Sequence, residues 1–261
     1  MAPVRHDLPH QQHDLSAAFA NRIVGIAAIK AGDTVLEVGP GLGALTGPLL
    51  DAGAKVVAVE IDPKRSDILR ERFATAVADK RLELLVGDAL KLRTALPARW
   101  RVVCNPPFHH TAALVRKWLL EMKNPPWSID LVCQREVVVK FLGKDGEHTR
   151  SSALLACAGR SRMALGLPRE AVTPPSRVDL AVWAFRSYPD PDIDLVLVDL
   201  LLERAFAGPH SVKDALKGLA TGEMLKRHSR EFRYDPLGPS RAVPAEAWPP
   251  LAKLLRTCNK I

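Results

Sequence analysis

The sequence predicts an α/β protein: a mostly parallel sheet covered on both faces by helices, followed by a small all-helical part. Three observations predict this. Short apolar, β-branched runs alternate with helix-length stretches as far as residue 185, the pattern of doubly covered strands joined by crossover helices. The first three runs end at Gly39, Glu60 and Gly87-Asp88 and the fourth runs into Asn105-Pro106, where a strand must turn. Beyond Pro189-Asp190-Pro191-Asp192 the strand-like runs cease and only helical periodicity remains.

Each element follows from its residues. Leu15, Phe19, Ile23, Ile26 and Ala27 recur at helical spacing, and Ala31-Gly32-Asp33 closes that helix. Residues 34–38 form a short buried strand that enters the turn Gly39-Pro40-Gly41-Leu42-Gly43. A helix over 44–52 stops at Gly53, and the β-branched run 55–60 is a second strand. A helix over 63–78 and a strand over 82–86, ending at Gly87-Asp88, come next. The strand 101–104 runs into Asn105-Pro106-Pro107-Phe108, a helix over 111–122 leads to a strand over 129–133, and residues 179–185 complete the sheet. Helices over 195–207, 212–219 and 245–255, with a basic stretch at 226–233, make up the tail. The expected division is a body of residues 1–187 and a helical domain of residues 188–261.

Of 261 residues, 47% are hydrophobic and 25% charged, which excludes disordered and fibrous classes. No apolar run approaches the roughly 18 residues of a membrane span. The start, Met1 to Asp7, lacks the apolar core of a secretory signal. A cytoplasmic protein without membrane contact is expected. Cys104, Cys133, Cys157 and Cys258 form no C-x-x-C pair, so buried free thiols are expected rather than a zinc ribbon or disulfides. The net charge of +8 favours polyanionic partners.

Glu37, Gly39, Gly41 and Gly43 lie between a strand and a helix, where glycines let the backbone turn and a ligand approach. Gly39, Gly41 and Ala44 also satisfy the dinucleotide pattern, so the glycines alone do not choose between a nicotinamide cofactor and S-adenosylmethionine. Glu60, ending the second strand, suits the ribose hydroxyls of either. Glu37 breaks the tie, because a carboxylate here opposes a pyrophosphate and suits a cationic amino-acid end. Asp88, ending the third strand, can accept from an adenine amino group. The expected cofactor is S-adenosylmethionine.

Asn105-Pro106-Pro107-Phe108 supplies the catalytic candidates Asn105, Pro106 and Phe108. An exocyclic amine donates its lone pair to a π system and is a poor nucleophile. Acceptance of its two N–H bonds by the Asn105 side-chain oxygen and the Pro106 carbonyl lets the nitrogen pyramidalise toward a methyl donor. The prolines hold those acceptors in place, and Phe108 stacks on a flat base, a contact of about 1–3 kcal/mol. His109-His110, with no carboxylate beside them, are not read as a metal site.

These motifs resemble the rRNA adenine N6-methyltransferase family, the Erm/KsgA group, over most of the chain. The segment from Glu37 to Thr46 resembles the family's first motif, and Val59-Glu60-Ile61-Asp62 and Gly87-Asp88-Ala89 its ribose and adenine positions. Gln11-Gln12-His13 stands where the family has Gln-Asn-Phe. Gln134-Arg135-Glu136-Val137 and Thr173 to Asp179 resemble two further segments. The resemblance implies a Rossmann-like class I methyltransferase with a mostly parallel seven-stranded sheet. It also implies a cofactor site of Gln12, Glu37, Gly39, Gly41, Gly43, Glu60, Ile61, Asp88, Ala89 and Asn105. Three positions depart from the family: Pro106 in the catalytic loop, Gln12-His13 at the start, and Val172, where the family has a phenylalanine.

The base must be unpaired or flipped to reach such a crevice, and phosphates around it need cations. Arg160, Arg162, Lys226, Arg227, Arg230 and Arg233 are the RNA-binding candidates, with Arg5, Lys140, Lys144 and Arg150 as further ones. The expected activity is transfer of methyl to adenine N6, with large-subunit (23S) rRNA as substrate, antibiotic resistance as outcome, and a monomeric enzyme. The alternatives are a small-subunit rRNA adenine dimethyltransferase acting in ribosome biogenesis, an rRNA methyltransferase with another target nucleotide, a ribosome-binding factor of little activity, and a phospholipid or small-molecule N-methyltransferase.

Overall fold

The computed structural model describes residues 14–91, 93, 95–144, 147–188, 192–208, 210–258 and 260. Gln12 and Arg5 lie outside the described residues.

A two-residue strand, β1 (Asp14–Leu15), precedes α1 (Ala17–Ala27), whose buried stripe Ala20, Ile23, Val24 and Ala27 follows the sequence periodicity. Next come β2 (Thr34–Val38), α2 (Thr46–Asp51) and β3 (Lys55–Glu60). The helix expected over 63–78 is two helices, α3 (Pro63–Arg72) and α4 (Ala74–Ala78), broken at Phe73. Asp62 starts α3 by accepting the Lys64 N–H at 2.9 Å, with Pro63 in the first turn. The break has a packing correlate: a Cβ on Gly43 would lie 2.5 Å from the Phe73 ring, so ring and glycine loop interlock.

The body continues through β4 (Leu82–Val86), β5 (Arg101–Cys104), α5 (Thr111–Leu120) and β6 (Ser128–Gln134). Then come α6 (Arg135–Leu142), α7 (Arg150–Ala158), β7 (Gly159–Leu167), β8 (Val172–Thr173) and β9 (Leu180–Ser187). Seven strands form one sheet in the order β4-β3-β2-β5-β6-β9-β7. The pairs β3–β4, β2–β3, β2–β5 and β5–β6 are parallel. β9 runs against β6: Arg135 N–H, past the end of β6, donates to Asp179 O before β9, and Ser187 N–H, at the end of β9, donates to Trp127 O. Tyr188 N–H likewise donates to Ala158 O, so β9 also runs against β7. The sheet is the seven-stranded, mostly parallel one expected, with a single reversed strand.

The order reverses direction between β2 and β5, which makes their carboxyl ends the switch point where ligands of open α/β sheets bind. At the opposite end, the Arg101 guanidinium is 2% exposed. It donates to Ala27 O, to Ala28 O at 3.1 Å, to Ser128 Oγ at 2.8 Å and to Asp33 at 2.7 Å, closing the carboxyl end of α1. Burial alone would raise the Asp33 pKa, but the Lys30 N–H and the guanidinium hold it below the ordinary value.

The tail contains α8 (Leu195–Ala205), α9 (Val212–Ala215), α10 (Gly222–Phe232) and α11 (Trp248–Thr257). By compactness the chain does not divide once at residue 187. Residues 1–117, 128–135 and 164–184 form one unit, and residues 118–127, 136–163 and 185–261 form the other. In the second unit, α7 joins the tail helices around a core of Leu154, Cys157, Leu201, Leu202, Trp248 and Leu251. Arg150 is held there by Asp199 at 3.0 and 3.1 Å and by Glu203 at 3.2 Å, which makes it an ion-pair partner within the fold. Cys104, Cys133 and Cys157 are buried free thiols as expected, whereas Cys258 is exposed.

Candidate active site

The glycine loop leaves β2 at the switch point. Gly39, Gly41 and Gly43 all take positive φ (69°, 59° and 86°), a region costly to residues with a Cβ. Gly39 N–H donates to Val59 O at 2.9 Å, extending the β2–β3 ladder by one step, and Gly43 N–H donates to Pro40 O at 2.8 Å to close the turn. A Cβ on Gly39 would lie 3.5 Å from Pro107 Cδ and 3.9 Å from Asn105 O. The glycine loop and the Asn105–Phe108 loop are therefore neighbours, although 66 residues separate Gly39 from Asn105 along the chain.

The Glu60 carboxylate accepts from Gly41 N–H at 3.2 Å and from Asp62 N–H at 3.1 Å, so the end of β3 and the glycine loop share one anchor. Burial raises its pKa, against the pull of those two N–H groups. Gly87 N–H donates to Glu60 O at 2.8 Å and carries the crevice on to Asp88. Asp88 Oδ1 accepts from Leu90 N–H at 2.9 Å, and the carboxylate is partly open to solvent, with Lys91 Nζ at 3.7 Å. Beside these polar groups Ile61 stands 60% exposed and Leu42 and Val86 are exposed as well, an apolar margin suited to a flat ring.

Glu37 lies beneath the glycine loop. It is 1% exposed, and its Oε2 accepts from Thr46 Oγ1 at 2.7 Å. Burial pushes its pKa up to about 8, and the neighbouring Glu60 charge adds to the rise despite the Thr46 hydrogen bond. The floor of the loop thus holds a largely neutral acid at physiological pH, tied to the first turn of α2.

Asn105 is half-buried with its Oδ1 shielded from water, and Pro106 is buried. Phe108 opens a single 3₁₀ turn, Phe108–His110, and packs partly against the core. His110 N–H donates to Pro107 O at 2.9 Å and Thr111 Oγ1 to Phe108 O at 3.0 Å, so the loop passes without slack into α5. Val172 is buried in β8, paired with Leu15, and packs in the core.

One residue of this region was absent from the sequence reading. Lys117 of α5 is 8% exposed, and its Nζ donates to Ala89 O and Leu90 O, each at 2.9 Å. Its only sequence signal is a lysine among the buried apolar positions Leu114, Val115, Trp118 and Leu119. Arg160 and Arg162, expected between strands, lie instead two apart on β7 and both are exposed. The Arg160 guanidinium lies 6.0 Å from the Tyr188 ring centroid. Lys226, Arg227, Arg230 and Arg233 are exposed on α10 and its last turn, while Leu225, His228 and Ser229 are buried.

The donor set fits S-adenosylmethionine: two carboxylates at successive strand ends, a glycine cradle a Cβ would fill, and an apolar margin. A family model described as ribosomal RNA adenine dimethylase matches residues 10–210. A ribosomal RNA small subunit methyltransferase A from Jannaschia sp. (strain CCS1) is 36% identical over 231 residues, spanning 85% of this chain and 78% of that protein. A protein of the same name from Thermosynechococcus vestitus is 31% identical over 257 residues, spanning 94% of this chain and 95% of that protein. Among solved structures, the 23S rRNA methyltransferase ErmE shares the fold, with a TM-score of 0.74 over 93% of this chain and 99% of that one, at 24% identity.

Proposed function

The chain belongs to the ribosomal RNA adenine dimethylase family, and from that premise we propose that it dimethylates adenine N6 in the small-subunit rRNA, at an unpaired or flipped base. That it is an S-adenosylmethionine-dependent rRNA adenine methyltransferase follows from the family itself. The observation that carries the chemistry is the contact between the Gly39 loop and the Asn105–Phe108 loop at the switch point. The two relatives with small-subunit names, one aligned through the helical tail, support the choice of subunit. This reading takes the place of the expected large-subunit target and antibiotic resistance, because the likeness to ErmE, at 24% identity, speaks to fold alone.

Bound S-adenosylmethionine supplies an electrophilic methyl group on a positively charged sulfur. The glycines at 39, 41 and 43 leave room for its approach to the backbone, Glu60 would accept from its ribose hydroxyls and Asp88 from its adenine amino group, and Ile61 and Ala89 would flank the ring. By family resemblance Glu37 and Gln12 would complete the set at its amino-acid end. Asn105 Oδ1 and the Pro106 carbonyl accept the two N–H bonds of the target amine, which withdraws its lone pair from the base and aims it at the methyl. Because Asn105 is shielded from water, its dipole acts in a medium of low dielectric and needs no reorganisation at the moment of reaction. Phe108 holds the base flat by stacking. Transfer forms the N–C bond as the S–C bond breaks, leaves S-adenosylhomocysteine as a neutral thioether, and releases one proton from the nitrogen to solvent.

Residues 188–261 act in RNA recognition, with Lys226, Arg227, Arg230 and Arg233 as phosphate contacts and Arg160 and Arg162 as contacts on β7. The test is incubation with labelled cofactor and separate small and large ribosomal subunits lacking adenine methylation, followed by mass mapping of both rRNAs. Label confined to one small-subunit segment, with a gain of two methyl groups per adenine, is expected. Label in large-subunit rRNA alone would overturn the reading and favour the resistance enzyme.

A further inference from the structure

Lys117 belongs to the unit of residues 1–117, 128–135 and 164–184, and its ammonium holds a turn of the backbone. Nζ donates to Ala89 O and Leu90 O at 2.9 Å each, and the residue is 8% exposed. An ammonium is retained at such depth only where acceptors replace its water. The turn it holds follows Asp88 directly, and Asp88 holds the same turn from its other side, accepting Leu90 N–H on Oδ1 and Lys91 N–H on its carbonyl, each at 2.9 Å. The helix that carries Lys117 begins at Thr111, immediately after the Phe108–His110 turn, which is fastened by the hydrogen bonds of His110 and Thr111. Strand β4, from which the Asp88 turn departs, and β5, from which the Asn105 loop departs, are separated in the sheet by β3 and β2. The Lys117 side chain is thus a direct tie between a turn from one side of the switch point and the helix after a loop from the other.

We propose that Lys117 is a positioning residue that fixes the Asp88–Leu90 turn against α5, making the adenine seat of the cofactor and the loop that grips the target amine one rigid piece. The inference rests on the assignment of Asp88 to the cofactor's adenine and is independent of which rRNA is the substrate. Its binding and amide-exchange measurements need no RNA, so its failure is separate from failure of the subunit assignment.

Binding of S-adenosylhomocysteine, adenosine and methionine is measured by calorimetry on the full chain, on Lys117→Met and on Lys117→Arg. Two hydrogen bonds from a charged donor are removed in Lys117→Met, so affinity for S-adenosylhomocysteine and for adenosine should fall by the same factor, about tenfold or more, while methionine binding is unchanged. With saturating cofactor, kcat should fall far less than cofactor affinity, and Lys117→Arg should recover most of the loss. Unchanged adenosine binding in Lys117→Met would overturn the proposal, as would a loss confined to kcat or an equal loss of methionine binding. Should Lys117→Met not fold, amide exchange in Lys117→Gln decides. Faster exchange confined to Leu90 and Lys91 supports the tie, and wild-type rates there overturn it.

Discussion

Replacing Glu37 by glutamine removes one titrating proton from the floor of the glycine loop and leaves its shape intact. The amide oxygen of glutamine can still accept the Thr46 hydroxyl, which in the wild type donates to Glu37 at 2.7 Å. Burial, with 1% of the residue exposed, raises the wild-type pKa from 4.5 to about 8. Between those values the folded protein holds a proton that the unfolded chain has released. The stability contributed by this group is therefore fully present below pH 4.5 and is lost as pH rises through about 8, at up to about 1.4 kcal/mol per pH unit. From about pH 5 to about pH 8 the wild type should lose on the order of 4 kcal/mol that the variant keeps. Groups that do not interact with Glu37 titrate alike in both proteins and cancel in the difference. Denaturant unfolding across that range, read by tryptophan fluorescence and far-UV circular dichroism, measures it. A stability difference that stays constant within about 0.5 kcal/mol over the range would refute a buried neutral Glu37.

Three further outcomes are expected. Asn105→Ala should lower methyl transfer by about 100-fold or more, since it removes one of two acceptors for the target amine, while cofactor affinity measured by calorimetry stays within a few-fold. Arg101→Met should destabilise the fold by about 3–5 kcal/mol in denaturant titrations, because Asp33 and the Ala27 and Ala28 carbonyls lose their buried partner; a loss below about 1 kcal/mol would contradict the role of Arg101 in closing α1. For RNA binding, the slope of log affinity against log salt should shrink by roughly one for each of Arg160, Lys226 and Arg230 replaced by alanine. A slope that does not change would remove that residue from the phosphate contacts.

Local patterning made the strands, the glycine loop and the acidic strand ends legible in advance. A parallel strand buried on both faces must be a short apolar run, and 34–38, 55–60, 82–86 and 101–104 are such runs. Three glycines spaced two apart at a strand end, 39, 41 and 43, likewise mark a turn that can take the positive φ found there. The strand β7 escaped notice because Arg160, Ser161 and Arg162 interrupt its apolar pattern, as an exposed edge strand permits. The break at Phe73 escaped notice because its packing correlate is a glycine 30 residues earlier in the chain.

Charge state and pairing are of another kind. A glutamate between Leu36 and Val38 reads the same whether its carboxylate is ionised or neutral, and only enclosure by β3 and α2 makes Glu37 a neutral acid. Nothing in the local sequence marks Lys117 or Arg101 as buried donors, because their acceptors lie up to 28 and 74 residues away in the chain and become partners only when the sheet assembles. Residue order thus laid out the strands, the cradle and the family. The assembled sheet decided which strand reverses, which charges are buried and what each is tied to, because desolvation and long-range hydrogen bonds arise from neighbours that no local stretch of chain contains.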